Sequence, residues 1–299
     1  MSKKVAVVFS ITNNLMFAVA NVIYAIEKYS PNFVDNYFVF LDSYADASDM
    51  ERVQVLSDYK TRFRLLDQSQ YQNNKENINM PKYSIMCFGI FESFILLKQY
   101  NNVIFLDPDL LVQADISGIL SDSYIKMSHG RLSIEQALGR VLPEEQIIHG
   151  KKAFNSGVVV LNSNLLRLAD PEKIYSDCIK YTNLFWDTLV FPDQAILSFV
   201  LYKNQIPIDL LDWKYNSTIM GRKNFWDSKI IHSVGGKSKF WNNGITNLMF
   251  NEWNRNHQKW LDLGGKDFTG PRYYWKIRSY SKKELFDIIK YAVDNGYQM

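Results

Sequence analysis

The chain has 299 residues, 47% of them hydrophobic and 15% aromatic, with a formal net charge of +3 at neutral pH. That length and apolar content exclude global disorder and suffice for one large core, alone or with a small appended lobe. So small a charge gives no electrostatic support for a nucleic-acid partner, and none is expected. The first predicted element is a β-type run, Val5 to Ile11. A helix from about Asn14 to Lys28 follows, in which Met16, Val19, Ala20, Ile23 and Ile26 recur at helical spacing. Tyr37 to Leu41 reads as a second strand, Ser48 to Asp58 as a polar helix, and Arg62 to Leu66 as a third strand. Pro81 to Leu97 reads as a long amphipathic helix leading into a buried strand, Val103 to Val112, which delivers Asp107 and Asp109 where it ends. Asp170-Pro171-Glu172, an N-cap followed by proline at the first helical position, opens a short helix and the second half of the chain. Alternating strands and helices predict a mainly parallel sheet covered on both faces.

Such sheets bind ligands at the carboxyl ends of their strands, where Asp107 and Asp109 stand. Side chains alternate across a strand, so carboxylates two apart share a face and can grip one divalent cation between them. Pro108 fixes φ and removes a backbone donor, so the ladder stops there and the carboxylates stand free. That geometry suits a diphosphate-bearing substrate, although the triplet alone also describes a solvated turn. Cys87 and Cys178 lack metal-ligand spacing and form no disulfide framework, which points to a reducing compartment. No apolar run reaches the length of a membrane span.

Four further segments place polar groups beside apolar runs: Phe154-Asn155-Ser156-Gly157, Pro192-Asp193-Gln194, Leu210 to Asn216, and Ile230-Ile231-His232 followed by Ser233 to Trp241. Each has a bland reading. Asn155 can cap a turn, Asp193 and Gln194 can cap a helix, a lone histidine is usually structural, and the glycines can form a solvated loop. In order, however, and together with Asp107-Pro108-Asp109, the set closely resembles the retaining glycosyltransferases of family 8 over roughly residues 5 to 245. That family includes bacterial lipopolysaccharide galactosyl- and glucosyltransferases and the glycogenins.

The resemblance implies a GT-A fold, a Rossmann-like sheet flanked by helices, with a catalytic domain over 1–245 and a small C-terminal helical extension over 246–299. It implies a UDP-hexose donor and Mn²⁺, with Mg²⁺ as a substitute, held by Asp107, Asp109 and His232. Carboxylates plus one imidazole also suit a first-row ion better than Ca²⁺. By the same resemblance, Asn155 binds the donor sugar, Asp193 holds sugar hydroxyls, and Gln194 lies near the anomeric carbon. Gly235 and Gly236 admit the diphosphate, Asp107 lies beside it, and a lysine neutralises the leaving UDP. Lys239 is the first choice by its place before Phe240-Trp241, with Lys237 the alternative.

Three departures stand out. Thr12 occupies a position where relatives often carry aspartate, so Asn14 or a backbone group is expected to serve the base. Tyr83 to Leu97 lacks the arginine common there, and the lysine loop has one extra residue and Phe240 in place of proline. The expected reaction is hexose transfer with retention, by front-face substitution, to a glycan, glycolipid or protein acceptor. Asp193 and Gln194 are then the catalytic pair, acting as electrostatic stabilisers. The competing readings are a non-catalytic nucleotide-sugar-binding or scaffolding protein and a UDP-sugar hydrolase. Basic and aromatic residues mixed over 266–283 suggest contact with anionic lipid, so the expected location is cytoplasmic, with peripheral attachment to the cytosolic face of a membrane.

Overall fold

The structure, a computed structural model, describes residues 4–71, 76–219 and 225–273 together with positions 286 and 290. Strand β1 (Val5–Ile11) passes through one 3-10 turn into α1 (Met16–Tyr29), and β2 (Asn36–Leu41), α2 (Ala47–Leu56) and β3 (Thr61–Leu65) follow near their expected ranges. The long helix expected over 81–97 is not formed. Short 3-10 segments at Met80–Lys82 and Ile85–Phe91 precede a five-residue helix, α3 (Glu92–Leu96). The cause is tertiary. The Ser10 hydroxyl donates to the Met86 carbonyl at 2.6 Å, and Gly89 lies so close to β1 that a Cβ would come within 2.0 Å of Ser10 Oγ.

Next come β4 (Asn102–Leu106), β5 (Leu110–Val112), β6 (Ile125–Ser133), α4 (Ile134–Leu138) and β7 (Lys152–Asn162). Asp170 caps α5 (Pro171–Phe185) by accepting from the Glu172 N–H, and this helix runs 15 residues rather than the short length expected. The remaining elements are α6 (Pro192–Lys203), β8 (Asp209–Leu210), β9 (Ser217–Thr218), β10 (Ile230–His232), α7 (Gly244–Met249) and α8 (Asn251–Asp262).

A seven-stranded sheet runs in the order β3-β2-β1-β4-β7-β6-β8. Its β1–β2, β2–β3, β1–β4 and β6–β8 pairs are parallel, while β7 is antiparallel to both β4 and β6. Strand periodicity sorts β1 between two apolar layers. Val5, Val7, Phe9 and Ile11 face a layer that includes α1 and α8, whereas Ala6 and Val8 face a layer that includes α5 and α6. Each fully buried Val, Ile or Phe side chain among these contributes about 1.5–3 kcal/mol.

A second, three-stranded sheet runs β5-β10-β9. The chain leaves the large sheet at Leu106 and enters the small one at Leu110, so Asp107-Pro108-Asp109 is the crossing between two sheets. The boundary expected at residue 245 falls inside α7. Beyond it, Met249, Phe250, Trp253 and Trp260 are buried in the same layer as β1 and α1, and Asn21 Nδ2 donates to the Trp253 carbonyl at 2.8 Å. Among the described residues no helix is long and apolar enough to cross a membrane.

Candidate active site

Backbone bonds fix the crossing on both sides. The Asp107 N–H donates to the Gly157 carbonyl of β7 at 2.9 Å, and the Asp109 carbonyl accepts from the Ser233 N–H at 3.0 Å and its hydroxyl at 3.1 Å. Antiparallel pairing of β10 with β5 sets His232 opposite Leu110, one residue beyond Asp109. Two sheets thus deliver the three side chains to one point. His232 Nε2 lies 3.5 Å from Asp107 Oδ2 and 3.2 Å from Asp109 Oδ1, and one ligand atom from each residue falls within 4.8 Å of the others.

The histidine tautomer follows from a single backbone amide. The Gly157 N–H can only donate, and it meets Asn155 Oδ1 at 3.1 Å. Asn216 must therefore present its amide nitrogen to the same oxygen, at 2.8 Å, which turns Asn216 Oδ1 toward His232 Nδ1 at 3.1 Å. Nδ1 donates, which leaves Nε2 as the ring atom turned toward the two carboxylates and open to a cation once it carries no proton. Three electron-pair donors converging in this way fit a divalent cation. Gly157 is required as well, since a Cβ there would stand 2.2 Å from His232 Cε1 and 3.0 Å from Asp107 Oδ2.

Charge in the cluster is shared unevenly. Burial and then the neighbouring Asp109 push Asp107 up to about 7, with His232 and Lys239 opposing, although the side chain keeps 31% of its surface exposed. Burial also disfavours the charge on Asp109, but Lys239 and His232 outweigh it and hold that carboxyl well below the usual range. Lys239 Nζ is ion-paired with Asp109 Oδ2, on the opposite side of the carboxylate from His232. Lys237 is exposed and lies over the Tyr273 ring at 5.4 Å, so of the two candidate lysines only Lys239 reaches the cluster.

Asp193 and Gln194 sit in the first turn of α6, where the N-cap is Phe191 and makes no side-chain bond. Burial raises Asp193, opposed by the Ser156 hydroxyl and the backbone N–H groups of residues 193 and 194. Gln194 is seated against β6, its Oε1 3.4 Å from where a Cβ on Gly130 would be. Beneath them is Cys87, whose thiol is pushed well up by burial and then by Asp193 and Asp107, which removes it as a nucleophile at neutral pH. At the end of β1, Thr12 Oγ1 donates to Asn14 Oδ1 at 2.6 Å, and the Asn13 N–H donates to Asp42 Oδ1 at 2.8 Å. These groups pair with one another and make no bond to the carboxylate cluster. Gly235, with φ +92°, and Gly236 form an exposed turn against whose Cβ positions nothing lies within 4 Å.

Sequence reasoning assigned no role to Asn216, Gly157, Ser156 or Gly130, although the first three lie in segments it singled out. Only the pairing of β7 with β4 and β6, and of β10 with β5 and β9, reveals what they touch. Of the basic and aromatic stretch 266–283, positions 266–273 are described. Lys266 pairs with Asp46 at 3.1 Å and Arg272 with Asp267 at 2.8 Å, while Phe268 packs against Phe17 at 6.0 Å. Tyr274, Trp275, Lys276, Arg278, Tyr280, Lys282 and Lys283 lie outside the described residues.

The fold is that of solved GT-A glycosyltransferases. The galactosyltransferase LgtC, in complex with donor and acceptor sugar analogues, superposes with a TM-score of 0.64 at 15% identity, over 86% of this chain and 99% of LgtC. The bifunctional glycosyltransferase WbbM gives 0.62 at 17% identity over 88% of this chain and 52% of its own. The glycosyltransferase GlyE of Streptococcus pneumoniae TIGR4 gives 0.55 at 16% identity, over 89% and 65%. Comparison with curated protein sequences finds no match. The family model for glycosyl transferase family 8 matches residues 6–245, a span that begins in β1, holds every side chain of the carboxylate cluster and ends in α7. The chain therefore belongs to glycosyl transferase family 8 and is a glycosyltransferase.

Proposed function

We propose that this enzyme transfers glucose or galactose from a UDP-sugar to a glycan, glycolipid or protein acceptor, with retention of anomeric configuration and dependence on a divalent ion, Mn²⁺ by preference. The observation that carries the reading is the convergence of Asp107, Asp109 and Nε2 of His232 at the strand ends of a family 8 scaffold, with one lysine beside them. Two carboxylates and one imidazole suit Mn²⁺ or Mg²⁺. When bound, the ion would supply Lewis-acid stabilisation of the departing diphosphate.

The chain's own groups do the rest. Asp107, Asp109 and His232 would hold the ion, and the Asn155–Asn216 relay keeps Nδ1 of the imidazole donating and Nε2 turned toward it. Asn155 Nδ2, left over from that relay, is available to the donor sugar. Gly235 and Gly236 let the backbone approach the diphosphate, and Lys239 neutralises it. The loop at Thr12 and Asn14 receives the uridine, and Asp193, anchored beside Ser156, binds sugar hydroxyls. Gln194 presents a neutral amide, which cannot serve as the carboxylate nucleophile of a double displacement. It instead stabilises positive charge at the anomeric carbon, and the acceptor hydroxyl attacks on the face from which UDP leaves, passing its proton to the departing diphosphate oxygen as the bond from carbon to UDP breaks. A cytosolic location, at the membrane surface when the acceptor is a lipid, belongs to the same reading. The test is NMR of the glycoside formed from UDP-glucose or UDP-galactose over a panel of acceptors. An α-linked product is expected, and a β-linked one would sink the retaining mechanism.

A further inference from the structure

Lys239 does more in this structure than wait for a diphosphate. Its ammonium is ion-paired with Asp109 Oδ2 while Oδ1 of the same carboxylate faces His232 Nε2 at 3.2 Å. Asp109 is 3% exposed and the half-open Asp107 lies beside it, so the buried carboxylate has the Lys239 ammonium as its counter-charge. We infer that Lys239 is an internal counter-ion of the metal site. It competes with the divalent ion for Asp109 until a nucleotide diphosphate draws it away, and so couples metal binding to donor binding. The inference rests on the metal-site reading above.

Three features support it. Charge balance comes first: the buried Asp109 carboxylate, with the half-open Asp107 beside it, needs a cation, and among the described residues Lys239 is the only lysine or arginine that reaches either of them. A divalent ion beside Asp109 would be repelled by that ammonium and would have to share its carboxylate, so the lysine disfavours metal binding by itself. The second is the hinge. The Lys239 backbone is pinned, its N–H donating to Asn242 Oδ1 at 3.1 Å and its carbonyl accepting from the N–H groups of Asn242 at 3.3 Å and Asn243 at 3.1 Å. The side chain, 22% exposed, can leave Asp109 by rotation of its stem alone, without refolding the loop. The third is the destination. Gly235 and Gly236, exposed just upstream, form the open turn through which a diphosphate can approach the same lysine.

The consequence is thermodynamic. Metal alone binds against the lysine. A nucleotide diphosphate takes the lysine and frees Asp109, so each ligand strengthens the other by the same factor. Removing the ammonium without removing bulk breaks that coupling. The experiment measures Mn²⁺ affinity by electron paramagnetic resonance of free Mn²⁺, with and without UDP, in wild type, Lys239→Met, Lys239→Arg and Asp109→Asn, with thermal melting as a control for folding. Lys239→Met is expected to bind Mn²⁺ about tenfold more tightly than wild type when UDP is absent, from the loss of one charged hydrogen bond to a ligand. UDP should then strengthen its Mn²⁺ binding far less than it does in wild type. Lys239→Arg should resemble wild type, and Lys239→Gln replaces the methionine variant if that one fails to fold. Mn²⁺ affinity unchanged or weakened in a folded Lys239→Met overturns the inference while leaving the metal site standing. Wild type that binds no more Mn²⁺ than Asp109→Asn, with or without UDP, removes the metal-site reading and this inference with it.

Discussion

Replacing Gly157 by alanine adds one methyl group, and the structure says where it goes. The new Cβ would stand 2.2 Å from His232 Cε1, 2.6 Å from Nδ1 and 3.0 Å from Asp107 Oδ2, against about 3.4 Å for ordinary contact. His232 cannot easily yield, because the residue is 3% exposed, its Nδ1 is held by Asn216 and its backbone is paired with β5. Relief requires the imidazole to move by roughly an ångström, whereas metal–ligand distances tolerate about 0.2 Å. Overpacking of this kind costs about 1–3 kcal/mol of stability, a fall of a few degrees in Tm for a chain of this size. Misplacing one ligand weakens metal binding by at least the roughly 10–100-fold seen when a ligand loses its supporting partners. The assay is Mn²⁺ titration followed by thermal melting, with Gly236→Ala as the matched control, since nothing lies within 4 Å of the methyl it would add. Gly157→Ala should lose both affinity and stability while Gly236→Ala keeps both. Wild-type Mn²⁺ affinity in a normally melting Gly157→Ala would refute the packing described here.

Further outcomes follow from the same geometry. Asp107, raised to about 7 from 3.8, binds more protons in the folded than in the unfolded state between about pH 4 and 7. Its contribution to metal-free stability therefore declines as pH rises through that window. Asp109, lowered, contributes with the opposite sign, its stabilisation being lost only as pH falls below the usual carboxylate range. Because the ion requires the Asp107 carboxylate, the Mn²⁺-induced rise in Tm should be larger at about pH 7.5 than at about pH 5.5, and Asp107→Asn should abolish the difference. Asn216→Ala should cost about 10–100-fold in Mn²⁺ affinity, read by the same titration, by freeing the imidazole to turn and change tautomer. Gly130→Ala places a methyl 2.8 Å from the Ala153 carbonyl and 3.4 Å from Gln194 Oε1, and should lower kcat by about tenfold with little change in donor KM. In UDP binding with metal present, Lys237→Ala should fall within about twofold of wild type and Lys239→Ala should lose about tenfold or more.

The regular parts of the fold were readable because their periodicity is complete within each segment. The run Val5 to Ile11 is apolar on both faces but for Ser10, so it reads as a strand buried between layers, and α1 carries its own apolar stripe. The Pro81–Leu97 helix was misread because Ser10, more than seventy residues earlier, takes the Met86 carbonyl and crowds Gly89. The second sheet was invisible for a similar reason. Strands of three, three and two residues carry no periodic signal, and only their mutual pairing makes β5, β10 and β9 an element. Asp107 and Asp109 could be singled out because two carboxylates at a strand end are chemically conspicuous, whereas His232 stands out only within the ordered set that resembles family 8. Gly157 and Asn216 act through distance and hydrogen-bond direction, which no residue type announces. Lys239 could be preferred over Lys237 by its place before Phe240-Trp241 in the family's pattern, but its partner, Asp109, lies 130 positions away.

The most direct measurement is calorimetric titration of UDP into wild type and Asp109→Ala, each with and without Mn²⁺. Binding to wild type that tightens at least about tenfold with Mn²⁺, and an Asp109→Ala variant indifferent to the ion, is the predicted result. UDP binding unaffected by Mn²⁺ in wild type, or strengthened by it equally in Asp109→Ala, would contradict the assignment of Asp107, Asp109 and His232 as the ion's ligands.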